Sequence, residues 1–298
     1  MIRILMLAAG LLAFAGAHAD ERKWWPSKWG AEDTLGAFNM LGPELTLKAA
    51  KLIKTGKTYR LGIETNRNTP TPKGWTPRSF DITVMRPNQY GATLGTNHFT
   101  FFDDRMDGWM GIGSQIDGLG HAGTGDVYYN GFRASDFATA GGLRKFGVQD
   151  YPPIVSRGVL LDMTACMGQT MLKEGTAINR AEIMACEKKQ GVTIEKGDVV
   201  LLHTGWLSII ESEPERFITV EPGLGLDGAK YLAEREVIAV GLDNWAIEVM
   251  PFEDPKAAFP VHQELLNYNG IYQFENMNTA ELAKDKAYEF RLFWKSSG

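Results

Sequence analysis

The chain has 298 residues, 22% charged and 44% hydrophobic, an ordinary globular composition long enough for one large domain with a substantial core. Its net charge of −5 leaves no basic stripe of the kind that tracks a phosphate backbone, so nucleic acid is not an expected partner. No low-complexity linker, charge block or internal repeat divides it.

Residues 1–19 read as a secretory signal. Arg3 supplies a positive start, Ile4 to Ala15 an apolar stretch, and Ala17-His18-Ala19 a small-x-small site for cleavage before Asp20. The apolar stretch falls short of the roughly 20 residues of a membrane span. The expected product is periplasmic or secreted and is not held in a membrane once the signal is cleaved. In that compartment Cys166 and Cys186 can form a disulfide. Spacing does not bring them together, and two buried free thiols are the plainer reading.

Residues 20–57 read as an N-terminal arm and helix, and residues 58–298 as the main domain. Trp24, Trp25 and Trp29 belong to the arm, and Pro43 opens a helix through Lys54 that Gly56 stops. Alternating or β-branched runs predict strands at Thr58–Glu64, Asp81–Met85 and His98–Phe102. A weak helix is expected over Arg133–Leu143. The pattern then predicts strands at Ile154–Met163, Asp198–Thr204, Val237–Asp243 and Tyr288–Trp294. Helices are predicted at Ile178–Gln190, Gly228–Arg235, Val261–Asn267 and Thr279–Lys284. Alternation in the second half and strands in the first argue a single α/β domain with a mixed β core.

Four histidines remain after signal removal: His98, His121, His203 and His262. Asp117 and His121 stand four apart in Gly113-Ser114-Gln115-Ile116-Asp117-Gly118-Leu119-Gly120-His121, a run too glycine-rich for a stable helix. Such a run lets backbone and ligand approach closely. The carboxylate can bind a cation, and the imidazole can bind it or take a proton. A turn-capping Asp and a core His explain the spacing equally well. His262 and Glu275 form a second pair, which a hairpin-like return can bring together. His203 ends the apolar run Val199–Leu202, and His98 precedes Asp103-Asp104; each can be a ligand, a substrate contact or a satisfied strand residue. Gly223-Leu224-Gly225-Leu226-Asp227-Gly228 matches G-x-G-x-x-G, but Glu221-Pro222 breaks the strand that a dinucleotide fingerprint needs.

Together these segments resemble the cyclase family of metal-dependent hydrolases, which includes bacterial kynurenine formamidase and isatin hydrolase. The family signature His-x-Gly-Thr-His-x-Asp-x-Pro-x-His aligns with Gly111–His121. Further matches are Asp198–Trp206, Val240-Gly241-Leu242-Asp243, and His262 with Glu275. The resemblance implies a swivelling β/β/α fold and a homodimer or homotetramer. It makes Asp117, His262 and Glu275 metal ligands and His121 the catalytic base. Gly111 and Gln115 stand where the family has two early ligand histidines. Glycine supplies no ligand, and an amide oxygen is a harder, weaker one than imidazole.

Three readings of the site follow: one zinc or manganese ion on Gln115, Asp117, His262 and Glu275; a site where His98 or His203 replaces a lost ligand; or a site without metal. The implied activity is hydrolysis of an amide or lactone in a small, cyclic or aromatic substrate. The metal activates water, and His121 moves its proton to the leaving group. His98, His203, Trp109, Trp206 and Trp245 are candidate substrate contacts. The alternative is a periplasmic binding protein on a decayed hydrolase scaffold.

Overall fold

Three apolar runs that alternate between two buried faces build the centre of the molecule. The structure, a computed structural model, describes residues 23–73, 78–85 and 93–295. The expected signal, residues 1–19, lies outside them. In chain order the main elements are α1 (Pro43–Ala50), β1 (Phe80–Met85), β2 (Asp103–Gly108), β3 (Gln115–Asp117) and β4 (Ile154–Asp162). Then come α2 (Met163–Met167), α3 (Arg180–Gln190), β5 (Val199–His203), α4 (Leu226–Glu234) and β6 (Ala239–Leu242). The chain closes with α5 (Pro260–His262), β7 (Tyr272–Glu275), α6 (Ala280–Lys284) and β8 (Glu289–Trp294).

The six-stranded sheet has the order β8-β4-β5-β6-β7-β3. Its four inner strands are parallel, and β8 and β3 run antiparallel at the edges. This is the mixed α/β sheet expected. Val159, Leu161, Val200, Leu202, Val240 and Leu242 bury on one face with Ile183, Ala229 and Leu232 of α3 and α4. Leu160, Val199, Leu201, Tyr272 and Phe274 bury on the other with Leu119, Phe137 and Phe146. A strand covered on both faces reads as a continuous apolar run, which is why these runs were legible.

Local signals set the helix ends. Asn179 and Glu182 form a capping box at α3, and Gly191 closes it in the left-handed region at φ 70°. Cys166, in the short helix after β4, is bridged to Cys186 of α3 with a Cα–Cα distance of 5.3 Å. The free-thiol reading is thereby corrected. The turn from β4 into α2 lays α2 against α3, a contact that sequence spacing did not carry. The N-terminal arm lies on the domain, with Asn130 Nδ2 donating to the carbonyls of Gly30, Ala31 and Asp33.

Three expected elements differ. Residues 58–64 run without ladder partners; Tyr59 and Leu61 alternate because they pack on the second core. The strand expected at 98–102 is displaced to β2, whose polar Asp103-Asp104-Arg105 pairs with β1 in an exposed two-stranded ribbon. The helix expected over 133–143 shrinks to Ala134–Phe137, and Ala138–Thr139 folds back on Gly142–Leu143. Gly141 and Gly142 account for the stop. No described helix is long and apolar enough to cross a membrane.

Candidate metal centre

The pairing of β3 with β7 assembles the site. Glu275 stands opposite Gln115, and Gln273 opposite Asp117. Successive side chains alternate faces, so these four polar groups share the helix-covered face. Gly113 makes the turn into β3: its φ is +71°, and a Cβ there would lie 2.1 Å from Thr65 Oγ1, so only glycine fits. Pro260 at the first helical position opens α5, which presents His262 to the same face before the chain continues as a π-helical turn, Gln263–Tyr268. π-turns of this kind concentrate at functional sites.

Asp117, His121 and His262 offer ligand atoms that all lie within 4.8 Å of one another. Asp117 Oδ2 is 3.7 Å from Nε2 of both His121 and His262. Glu275 Oε1 is also 3.7 Å from His262 Nε2. Asp117, His262 and Glu275 are buried, whereas His121 keeps about half of its side-chain surface open, at 49%. Gln115 Nε2 donates to Asp117 Oδ1 at 3.0 Å. On the far side of His262, Glu248 Oε1 accepts from both its Nδ1 and its backbone N–H. Glu248 follows Ile247, held at φ 62°; a β-branched residue in the left-handed region is strained, as residues that shape a site often are.

Burial drives the Glu275 carboxyl above its ordinary range, and the charge of Asp117 adds to the shift. Burial pulls the His262 imidazole down, but its hydrogen bonds to Glu248 and Glu275 outweigh this and leave it raised. At His121 the Asp117 charge pulls upward; loss of solvation among its neighbours and the charges of His262 and Arg78 carry it below its ordinary value. Buried Glu221, which accepts from the backbone of Trp245 and Ala246, is raised by burial and by nearby Glu275. Carboxylates this close either hold protons or share a cation.

A divalent cation fits the donor set. Asp117 Oδ2 and Gln115 Oε1 are buried acceptors without a hydrogen-bond donor, and both amide atoms of buried Gln273 beside them also lack partners. Leaving such an oxygen unpaired costs about 1–3 kcal/mol, which a bound cation relieves. Carboxylate, amide and imidazole donors suit zinc or manganese.

Of the residues expected at the site, Gln115, Asp117, His121, His262 and Glu275 come together. His203 is tied to Thr279 Oγ1 at 2.8 Å and to Asp243 Oδ2 at 3.2 Å, away from that cluster. His98 sits on an exposed loop against Thr93. Trp206 is wholly buried among Ile209, Phe217 and Ile218, its indole N–H on the Phe217 carbonyl. Trp109 is exposed beyond β2, and Trp245 is half-buried beside Glu221. A cavity of about 420 Å³ opens at His121, lined by Ile116, Phe146, Gln149 and Tyr151. A larger groove, about 1000 Å³, runs between residues 52–63 and β8 and includes Gln115 in its lining.

This fold is that of a cyclase-type α/β protein. The family described as "Putative cyclase" matches residues 59–249. The crystal structure of a protein described as a novel cyclase is 32% identical, with 89% of each chain covered and a TM-score of 0.79. The chain belongs to the cyclase family. An isatin hydrolase bound to the product analogue thioisatinate shares the fold at 18% identity, over 74% of this chain and 80% of its own, with a TM-score of 0.53. Isatin hydrolase A from Labrenzia aggregata, bound to benzyl benzoate, does so at 15% identity, over 73% and 78%, with a TM-score of 0.51. No curated protein sequence matches the chain significantly.

Proposed function

We propose that the protein is a metal-dependent hydrolase that cleaves an amide or lactone bond in a small, cyclic or aromatic substrate. The convergence of Asp117, His121 and His262 around an unpartnered buried carboxylate oxygen carries this reading. Asp117, His262 and Glu275 would hold a divalent ion, zinc or manganese, with Gln115 Oε1 as a further donor. Bound there, it supplies Lewis-acid polarisation of a carbonyl and acidifies water toward a pKa of ~7. Glu248 fixes the His262 ring with Nδ1 as donor and Nε2 facing the cluster. His121, half-open at the cavity mouth, is placed to accept a proton from water and return it to the leaving group. The lining of that cavity takes in His121 but none of Asp117, His262 and Glu275, so His121 stands between the cavity and the metal ligands.

The same reading places the protein outside the cytoplasm. Its support is the charged, apolar and Ala-x-Ala pattern of residues 1–19 together with the Cys166–Cys186 bridge. It is a homodimer or homotetramer in this reading. The β1–β2 ribbon exposes Ile82, Val84, Met85 and Met106, and a two-stranded ribbon does not bury a core of its own.

The deciding experiment joins elemental analysis of purified protein to a screen of esters, lactones and amides with zinc or manganese added. About one ion per chain and turnover that a chelator abolishes are expected. Metal-free protein after incubation with both ions overturns the metal centre, and ligand binding without turnover favours a non-catalytic binding protein.

A further inference from the structure

Gly111 lies beside the metal centre, and its missing side chain leaves room that another residue has taken. A Cβ at this position would stand 2.8 Å from Arg78 Nη1 and 3.4 Å from Gln115 Oε1. The guanidinium and the unpartnered amide oxygen therefore flank one point. A side chain at 111 would have to displace the end of the Arg78 side chain from that point.

Arg78 is a half-buried cation. Its Nη1 donates to the Gly111 carbonyl at 2.7 Å, and among the described residues no carboxylate oxygen lies within ion-pair distance of it. Guanidinium carries five N–H donors in a planar fork, and the hydrogen bond to Gly111 among the described residues uses one of them. Its charge nonetheless reaches the site, where it acts on both His121 and Glu275. A fixed fork of this kind pairs with a carboxylate through two parallel hydrogen bonds.

We propose that Arg78 is the anion-binding residue of this site and that it holds a ligand carboxylate beside the metal centre. The proposal deepens the hydrolytic reading and rests on it for the source of the anion. An acidic substrate brings a carboxylate, and hydrolysis of an amide or lactone creates one. Gly111 serves as the spacer that admits the guanidinium.

The test uses benzoate and its neutral isostere benzamide as probes, titrated calorimetrically into manganese-saturated protein. Wild type should prefer benzoate. Arg78→Gln should lower benzoate affinity about tenfold or more and leave benzamide unchanged, while Arg78→Lys should lose part of the preference because ammonium lacks the fork. Gly111→Val, which crowds the guanidinium out, should reproduce the loss and add nothing further in the Arg78→Gln background. Benzoate binding unaltered in Arg78→Gln, or no preference for benzoate in wild type, overturns the proposal. Benzoate binding that follows Arg78 without hydrolysis of any ester, lactone or amide removes the hydrolytic reading and leaves the anion site standing. Hydrolysis with benzoate binding indifferent to Arg78 does the reverse.

Discussion

One carboxylate oxygen of Glu248 receives two hydrogen bonds from His262, from its backbone N–H at 2.8 Å and from Nδ1 at 2.7 Å. The pair fixes both the start of α5 and the rotation of the ring, so Nε2 faces Asp117 and Glu275. A carboxylate behind a ligating imidazole also raises its basicity. Glu248→Gln keeps the shape and removes the charge. It should weaken metal affinity about 10–100-fold, the usual worth of such a partner, measured by competition with a chromogenic chelator. Unchanged affinity would show that Glu248 only anchors the helix.

Gln115 faces the same centre with its amide oxygen unpaired and its amide nitrogen on Asp117 Oδ1. Imidazole is the stronger ligand for zinc. Gln115→His should therefore tighten zinc more than manganese, read as a shift in the ratio of the two dissociation constants. Equal or weaker binding of both ions would place position 115 outside the coordination sphere.

The central sheet was legible because β4, β5 and β6 are apolar on both faces. The strands that build the site were harder to see. β3 and β7 are only three and four residues long, too short for the alternation of Gln115-Ile116-Asp117 and Tyr272-Gln273-Phe274-Glu275 to stand out as strands. The Asp117–His121 pair showed itself by spacing, and His262 with Glu275 by resemblance to a family. Glu248 and Arg78 did not show themselves at all. Each acts on a residue 14 or 33 positions away, through a contact that only the packed loops create. The disulfide was hidden for a similar reason, since the packing of α2 on α3 brings its cysteines together.

Arg157 anchors the opposite side of the sheet. It meets Asp198 through two bonds, Nε–Oδ1 at 2.9 Å and Nη2–Oδ2 at 2.7 Å, with both side chains almost wholly buried. Removing one partner of a buried pair leaves the other charge uncompensated, so Arg157→Met should destabilise by about 3–5 kcal/mol in urea unfolding. Burial already raises the Asp198 carboxyl despite Arg157, and the variant should raise it further. A carboxyl with a raised native pKa binds more protons folded than unfolded between its two pKa values, so stability falls as pH rises through that window. The loss in the variant should thus be larger at pH 8 than at pH 4. A pH-independent loss would assign the cost to packing alone.

Asp117 and His121 lie 3.7 Å apart, yet they should fail in different ways. Asp117 is buried with one oxygen unpaired, so its charge is the group the cation most needs. Asp117→Asn should abolish both metal retention and turnover. His121 is half-open at the cavity mouth, where a proton carrier can reach water and leaving group alike. His121→Ala should leave most of the metal bound and cut turnover by roughly 10²–10⁴-fold, the usual contribution of a positioned general base. Elemental analysis and hydrolysis rates for both variants, on any substrate that wild type cleaves, separate the roles. If His121→Ala loses metal as completely as Asp117→Asn, His121 is a ligand that compensates for Gly111 and Gln115, and the proton carrier must be sought elsewhere in the cavity.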